Sequence, residues 1–200
     1  MDSNNDNFRV LEEYSKKNSY KIDILSKSYS KTDFRKINTS IESVCINFDK
    51  DICFYSYYDN KGFDDSDFYC GVFFAINMPK ESKLRISSKN VFHRLNPFYR
   101  KLSKRSGYFD FDSEAVINTR SSHDQLHKIV ANSKVRKLII DALQINPIIR
   151  IGVNMQQNIP GIDSQSVFGI YISKKWITDT QTIDQMYAIA NKIRMELIPN

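Results

Sequence analysis

The sequence lacks a hydrophobic run long enough to cross a membrane. Its longest apolar stretch, around Val72 to Ile76, is far shorter than the roughly 20 residues that a membrane-spanning helix needs. The first residues, 1–6, are polar and acidic and contain no apolar core of the kind found in secretory signal peptides. We therefore expect a cytoplasmic protein without a membrane span.

Cysteine is scarce, and the common nucleotide and acyl-transfer motifs are missing. The three cysteines, Cys45, Cys53 and Cys70, have no C-x-x-C spacing and lie inside apolar or aromatic runs, which predicts buried free thiols. The chain has no G-x-x-x-x-G-K-[ST] loop and no G-x-G-x-x-G turn, and the segment beginning at Gly161 is not a nucleophile elbow. No complete catalytic set is predicted, and no cofactor.

What the sequence does contain is the composition of an ordinary globular protein. Of its 200 residues, 41% are hydrophobic and 26% are charged, which is enough for one packed core. The net charge of +6 is modest for this length, so it permits an anionic partner without requiring one. We predict a single domain over residues 1–200, with an N-terminal helix and polar loop in 1–40, a mainly β part in 41–119 and an ααββα part in 120–198.

Hydrophobic patterning predicts strands in the first half of the chain, after a short helix at Asn7 to Lys17. The next segments are a short strand at Tyr20 to Leu25 and a polar loop that reaches Asn38. Two β-rich segments, Ile41 to Phe48 and Ile52 to Tyr58, form a hairpin pattern. An acidic surface turn at 59–67 then leads to Phe68 to Ile76, whose continuous apolar character is typical of a central strand.

The second half has helical spacing instead. Apolar residues recur every three or four positions between Leu126 and Ala142, which predicts a helix pair, and again between Thr182 and Leu197. Alternation between Ile149 and Met155 predicts a half-buried strand that pairs with Val167 to Ile172. Strands first and helices later favour an α+β fold: a mostly antiparallel sheet packed by a helix pair and a long C-terminal helix.

His123 and His127 form the nearest approach to a catalytic motif. Histidines four residues apart share a helix face, as they do in the H-E-x-x-H zinc proteases. Here Asp124 replaces the glutamate, and no third histidine follows as a ligand. Ser122 and Gln125 have the spacing of a capping box, so we interpret the segment as a helix start. A metal-dependent hydrolase using His123 and His127 is the alternative.

A basic, aromatic segment at 98–108 is a second candidate site. Its cations, Arg100, Lys101, Lys104 and Arg105, suit phosphate groups, and its aromatic rings suit stacking on bases. Basic loops on positively charged proteins are usually solvated, which is the interpretation we prefer. Binding of nucleic acid or an anionic surface is the alternative, and it predicts steep salt dependence.

Tyrosines on two adjacent predicted strands form the third candidate site. Tyr55, Tyr57, Tyr58 and Tyr69 accompany several phenylalanines, and together they carry more rings than one sheet face normally buries. Tyrosines with solvated hydroxyls can line a pocket for a small amphipathic ligand, although an aromatic core with tyrosines at its edge is the simpler arrangement. The leading hypothesis is a non-enzymatic cytoplasmic domain that binds a protein partner or a small ligand.

The C-terminal half also resembles a known group of domains. Phe109 to Thr119, followed by the predicted helix pair, resembles a group of uncharacterised bacterial domains with an F-D-x-x-F-x-V-x-T segment before a helix pair, a hairpin and a C-terminal helix. Ala115 stands in place of the second aromatic residue, and Ile117 in place of the valine. The resemblance supports the predicted architecture and implies no activity, cofactor or catalytic residue.

Overall fold

The computed structural model describes residues 3–31, 37–62, 65–89, 104–119, 123–156, 159–162 and 165–198. Within these ranges the helices are α1 (Ser3–Lys17), α2 (Phe109–Glu114), α3 (His123–Val130), α4 (Ser133–Ile145) and α5 (Thr180–Leu197). The strands are β1 (Lys21–Lys31), β2 (Ile37–Asp49), β3 (Ile52–Gly62), β4 (Asp65–Ile76), β5 (Leu84–Ser88), β6 (Ala115–Thr119), β7 (Arg150–Val153) and β8 (Ser166–Ser173).

The strands form one eight-stranded antiparallel sheet in the order β1-β2-β3-β4-β8-β7-β5-β6. The first four strands are consecutive neighbours, and β8 enters the sheet between β4 and β7. The predicted α+β class is confirmed, as is the predicted pairing of the Ile149 segment with the Val167 segment, seen in the pair Ile151 and Ile170. Strand β4 lies in the interior of the sheet, as its apolar sequence predicts.

All five described helices contribute side chains to the core on one side of the sheet, which we call the helix-covered face. The apolar stripe of α5, Ile183, Met186, Ala190 and Ile193, is buried there, as its spacing predicts. Asp179 caps α5 by accepting the backbone N–H groups of Gln181 and Thr182. The strands present alternate residues to these helices, including Phe54, Val72, Phe74, Phe168 and Ile170.

Helix α1 joins the same core from the other end of the chain. Its Leu11 and Tyr14 are buried, and the Tyr14 hydroxyl donates a 2.6 Å hydrogen bond to Asp184 of α5. Burial and this carboxylate both raise the pKa of Tyr14. Phe8 of α1 packs edge-on against Trp176, with ring centroids 5.4 Å apart. The first and last helices are therefore held together through side chains.

The strands of the first half are longer than the sequence predicts. Strand β1 continues to Lys31 where a loop is expected, and the predicted acidic turn at 59–67 is mostly strand, because β3 reaches Gly62 and β4 begins at Asp65. Asp59 and Asp67 face each other in the ladder. Lys27 and Asp67, near these ends, are exposed, and the polar sequence there lacks the apolar alternation that identifies a strand.

None of the helices in the described ranges is long and apolar enough to span a membrane.

A tyrosine cluster on the second face of the sheet

The face of the sheet opposite the helices, here called the second face, carries three of the four candidate tyrosines. Side chains alternate along a strand, so Tyr55 and Tyr57 of β3 share this face, and Tyr57 lies directly opposite Tyr69 of β4. Ring centroids are 6.2 Å apart for Tyr55 and Tyr57, 6.0 Å for Tyr55 and Tyr69, and 5.4 Å for Tyr57 and Tyr69. We call these three residues the tyrosine cluster.

Tyr58, the fourth candidate, lies on the helix-covered face. Its ring contacts Phe68 at a centroid distance of 5.4 Å, and Phe68 in turn packs on Trp176 at 5.5 Å. The period of two along β3 separates Tyr57 from Tyr58, although both are half-buried. The structure therefore does not bring Tyr58 together with the tyrosine cluster.

The tyrosine cluster continues into a second apolar core on the same face. Phe73 lies 6.0 Å from Tyr69, and Tyr171 of β8 lies 6.3 Å from Phe73. A Cβ atom at Gly169 would stand 2.6 Å from the Phe73 ring, so that glycine lets the ring lie flat on the strand. The segment between β7 and β8 adds the buried side chains of Ile159 and Ile162, which pack in the same apolar cluster.

Exposure and charge differ across the tyrosine cluster. Tyr55 is buried, which raises its pKa to about 12, and burial also raises the pKa of Tyr69. Tyr57 and Tyr69 are half-buried. The Tyr57 hydroxyl donates a 3.4 Å hydrogen bond to Asp59, which faces Asp67 across the ladder. The cluster therefore combines aromatic rings with hydroxyl groups, two of which have raised pKa values, and two neighbouring carboxylates.

The basic candidate segment is only partly described. Arg100 and Lys101 lie outside the described residues, while the side chains of Lys104 and Arg105 are exposed. Arg105 lines a cavity of about 670 Å³ together with two acidic residues, Asp112 and Glu114. The positive charge of Arg105 therefore lies in a cavity that also carries the negative charges of these two residues.

Of the two candidate histidines, the structure describes the side chain of His127 only. The side chains of Ser122, His123 and Gln125 lie outside the described part, so the capping box stays a prediction. His127 is exposed, and its Nε2 atom lies 3.4 Å from the Tyr108 hydroxyl. The Arg136 guanidinium lies over the Tyr108 ring, with its Cζ atom 3.8 Å from the ring centre. In the described ranges no three His, Cys, Asp or Glu side chains are grouped to hold a metal ion.

The three cysteines are buried, as predicted. Cys45 and Cys53 lie on the second face, where the Cys53 thiol hydrogen-bonds to Cys45 and lowers the pKa of Cys45. Cys70 lies on the helix-covered face, and its sulfur accepts the backbone N–H of Ile177 at 3.4 Å. All three thiols are therefore packed inside the protein.

Comparison with known proteins gives no match to a family model and no significant match to a curated protein or a solved structure. The resemblance of Phe109 to Thr119 to uncharacterised bacterial domains accordingly stays a prediction.

Proposed function

We propose that this protein is a non-enzymatic, cytoplasmic binding domain and that the tyrosine cluster holds a small amphipathic ligand. The observation that carries the proposal is the meeting of three tyrosine rings, 5.4 to 6.2 Å apart, on the sheet face that has no helix over it among the described residues. The half-buried rings of Tyr57 and Tyr69 offer apolar surface to a ligand, and they lose little conformational entropy when the ligand binds.

The negative charge next to the tyrosine cluster favours an amphipathic amine as the ligand. Asp59 and Asp67 place two carboxylates beside Tyr57 and Tyr69 in the ladder. A cation over a tyrosine ring is attracted by the ring quadrupole, and nearby carboxylates add to that attraction. An anionic ligand would be repelled at the same position.

Two adjacent residues of β3 provide a matched test. Tyr57 and Tyr58 are both half-buried and differ in the face to which they point. We would titrate ¹⁵N-labelled protein with phenethylamine and with its uncharged analogue 2-phenylethanol, and follow the amide signals of β3 and β4. The amine should bind more tightly than the alcohol. Tyr57→Ala should weaken amine binding by about ten-fold, the loss expected for one stacking and cation–π contact.

The control is Tyr58→Ala, which should leave the affinity for the amine unchanged. Equal loss in both variants would show that folding, rather than a ligand contact, explains the effect, and it would contradict the proposal. Signals of β3 and β4 that do not respond to either compound would contradict it as well.

A further inference from the structure

The far end of the second face contains a small cavity with cationic walls. It encloses about 300 Å³, at the lower end of the range for ligand pockets, and its described lining is Lys83, Arg85, Asn118 and Met155. Two of these side chains are cations, one is an amide and one is apolar, and the described lining includes no carboxylate. The cavity lies over β5, β6 and β7, on the opposite side of β8 from the tyrosine cluster.

The position of Arg85 follows from its strand. Leu84 and Ile86 point into the helix-covered core, so the period of two sends Arg85 to the second face. Its ladder neighbours are Asn118 on β6 and Gly152 on β7. The glycine has no side chain, and Met155 fills the space above it, with its Cγ atom 2.8 Å from the position that a Cβ atom would take.

One N–H donor of Arg85 has no acceptor among the described residues. This donor, on the Nε atom, is buried. A buried guanidinium N–H without a partner is costly, and ligand-free proteins usually satisfy such groups. The Tyr171 hydroxyl is likewise buried without a hydrogen-bond partner in the described ranges. The Cε1 atom of that ring lies 3.0 Å from the position of a Cβ at Gly152, beside Met155 of the cavity wall.

We propose that this cavity binds the oxyanion group of a small molecule, a carboxylate or a phosphate, with Arg85 as the principal contact. A guanidinium presents parallel N–H donors that match two oxygens of such a group. Lys83 adds positive charge, and Asn118 adds an amide donor. The site is independent of the amine site proposed at the tyrosine cluster, because different residues form it.

The test uses the full chain, inorganic phosphate and acetate as two separate probes, and constant ionic strength. Amide signals of β5, β6 and β7 should shift with saturation for at least one probe, and comparison of the two probes distinguishes a phosphate site from a carboxylate site. Arg85→Gln should lower the affinity for the probe that binds by about ten-fold or more, since one charge-assisted pair is lost. Arg85→Lys, which keeps the charge without the planar fork, should give an intermediate affinity.

Arg9→Gln is the matched control, because it removes the same charge from an exposed position outside this cavity. It should bind the probes like the unaltered protein. Shifts that do not saturate, or equal weakening by Arg9→Gln and Arg85→Gln, would show nonspecific charge attraction and would overturn the proposal. Wild-type affinity in both Arg85 variants would overturn it too.

Discussion

At the scale of single residues, Cys70 links burial to alkaline stability. The thiol is fully buried, and burial raises its pKa from an ordinary value of 9.0 to about 12. A group with a raised folded-state pKa contributes stability that is complete below its unfolded pKa. That stability is lost as the pH rises toward the folded pKa. Between about pH 9 and pH 12 the unfolded chain releases a proton that the folded protein keeps, at about 1.4 kcal/mol per pH unit.

We therefore expect the free energy of unfolding to fall less steeply above pH 9 in Cys70→Ala than in the unaltered protein. Urea denaturation at several pH values between about 8 and 10.5 measures the difference in slope. The variant loses a buried side chain, so its stability at pH 8 will be lower, and only the slope is compared. Parallel curves for the two proteins would mean that the Cys70 thiol ionises equally in the folded and unfolded states.

The candidate sites show which residues a sequence can identify. Tyr55, Tyr57 and Tyr69 are predictable because residue type and strand alternation suffice to place rings on neighbouring strands. Alternation also separates Tyr57 from Tyr58, but it does not tell which face the helices cover. Arg85 has only a weak signal, a cation between two apolar residues, because its site depends on Gly152 and Asn118, which are far away in the sequence.

At the scale of secondary structure, strands that bury one or both faces are predictable, whereas their polar ends are not. The stripe of α5 and the apolar run of β4 are predicted close to their observed positions, since burial requires the apolar spacing that reveals them. The outer half of β1, from Ser26 to Lys31, alternates little between apolar and polar residues, and it joins the sheet by pairing with β2. Backbone hydrogen bonding, which is independent of side chains, determines where such strands end.

Strand β1 is also an edge of the sheet, which leads to a prediction for hydrogen exchange. It pairs with β2 on one side, and its other side has no partner strand in the described sheet. Amides that point away from β2 are open to solvent, and opening of an edge costs less than opening of the centre. Exchange measured by mass spectrometry should be much faster in peptides of β1 than in peptides of β4 and β8. Equal protection would indicate that another chain pairs with this edge in solution.

At the scale of the whole molecule, β8 joins parts of the chain that are far apart in sequence. It pairs on one side with β4, which ends at Ile76, and on the other with β7, which begins at Arg150. The hydrogen bond from Tyr14 to Asp184 adds a second link, between the first and last helices. Neither the N-terminal nor the C-terminal strands can complete the sheet before residues 166–173 are in place. We infer that the sheet folds and unfolds as one cooperative unit, with slow folding because its contacts are long-range.

Two signals that report on different parts of the protein can test this cooperativity. Trp176 is the only tryptophan, and it packs between Phe8 of α1 and Phe68 of β4, so its fluorescence follows the junction of the two chain ends. Far-UV circular dichroism follows the helices and the sheet as a whole. The two urea transitions should coincide. Phe8→Ala, which removes a ring from that junction, should move both midpoints by the same amount. A fluorescence transition that precedes the loss of secondary structure, in either protein, would instead show that α1 and its neighbours unfold as a separate unit.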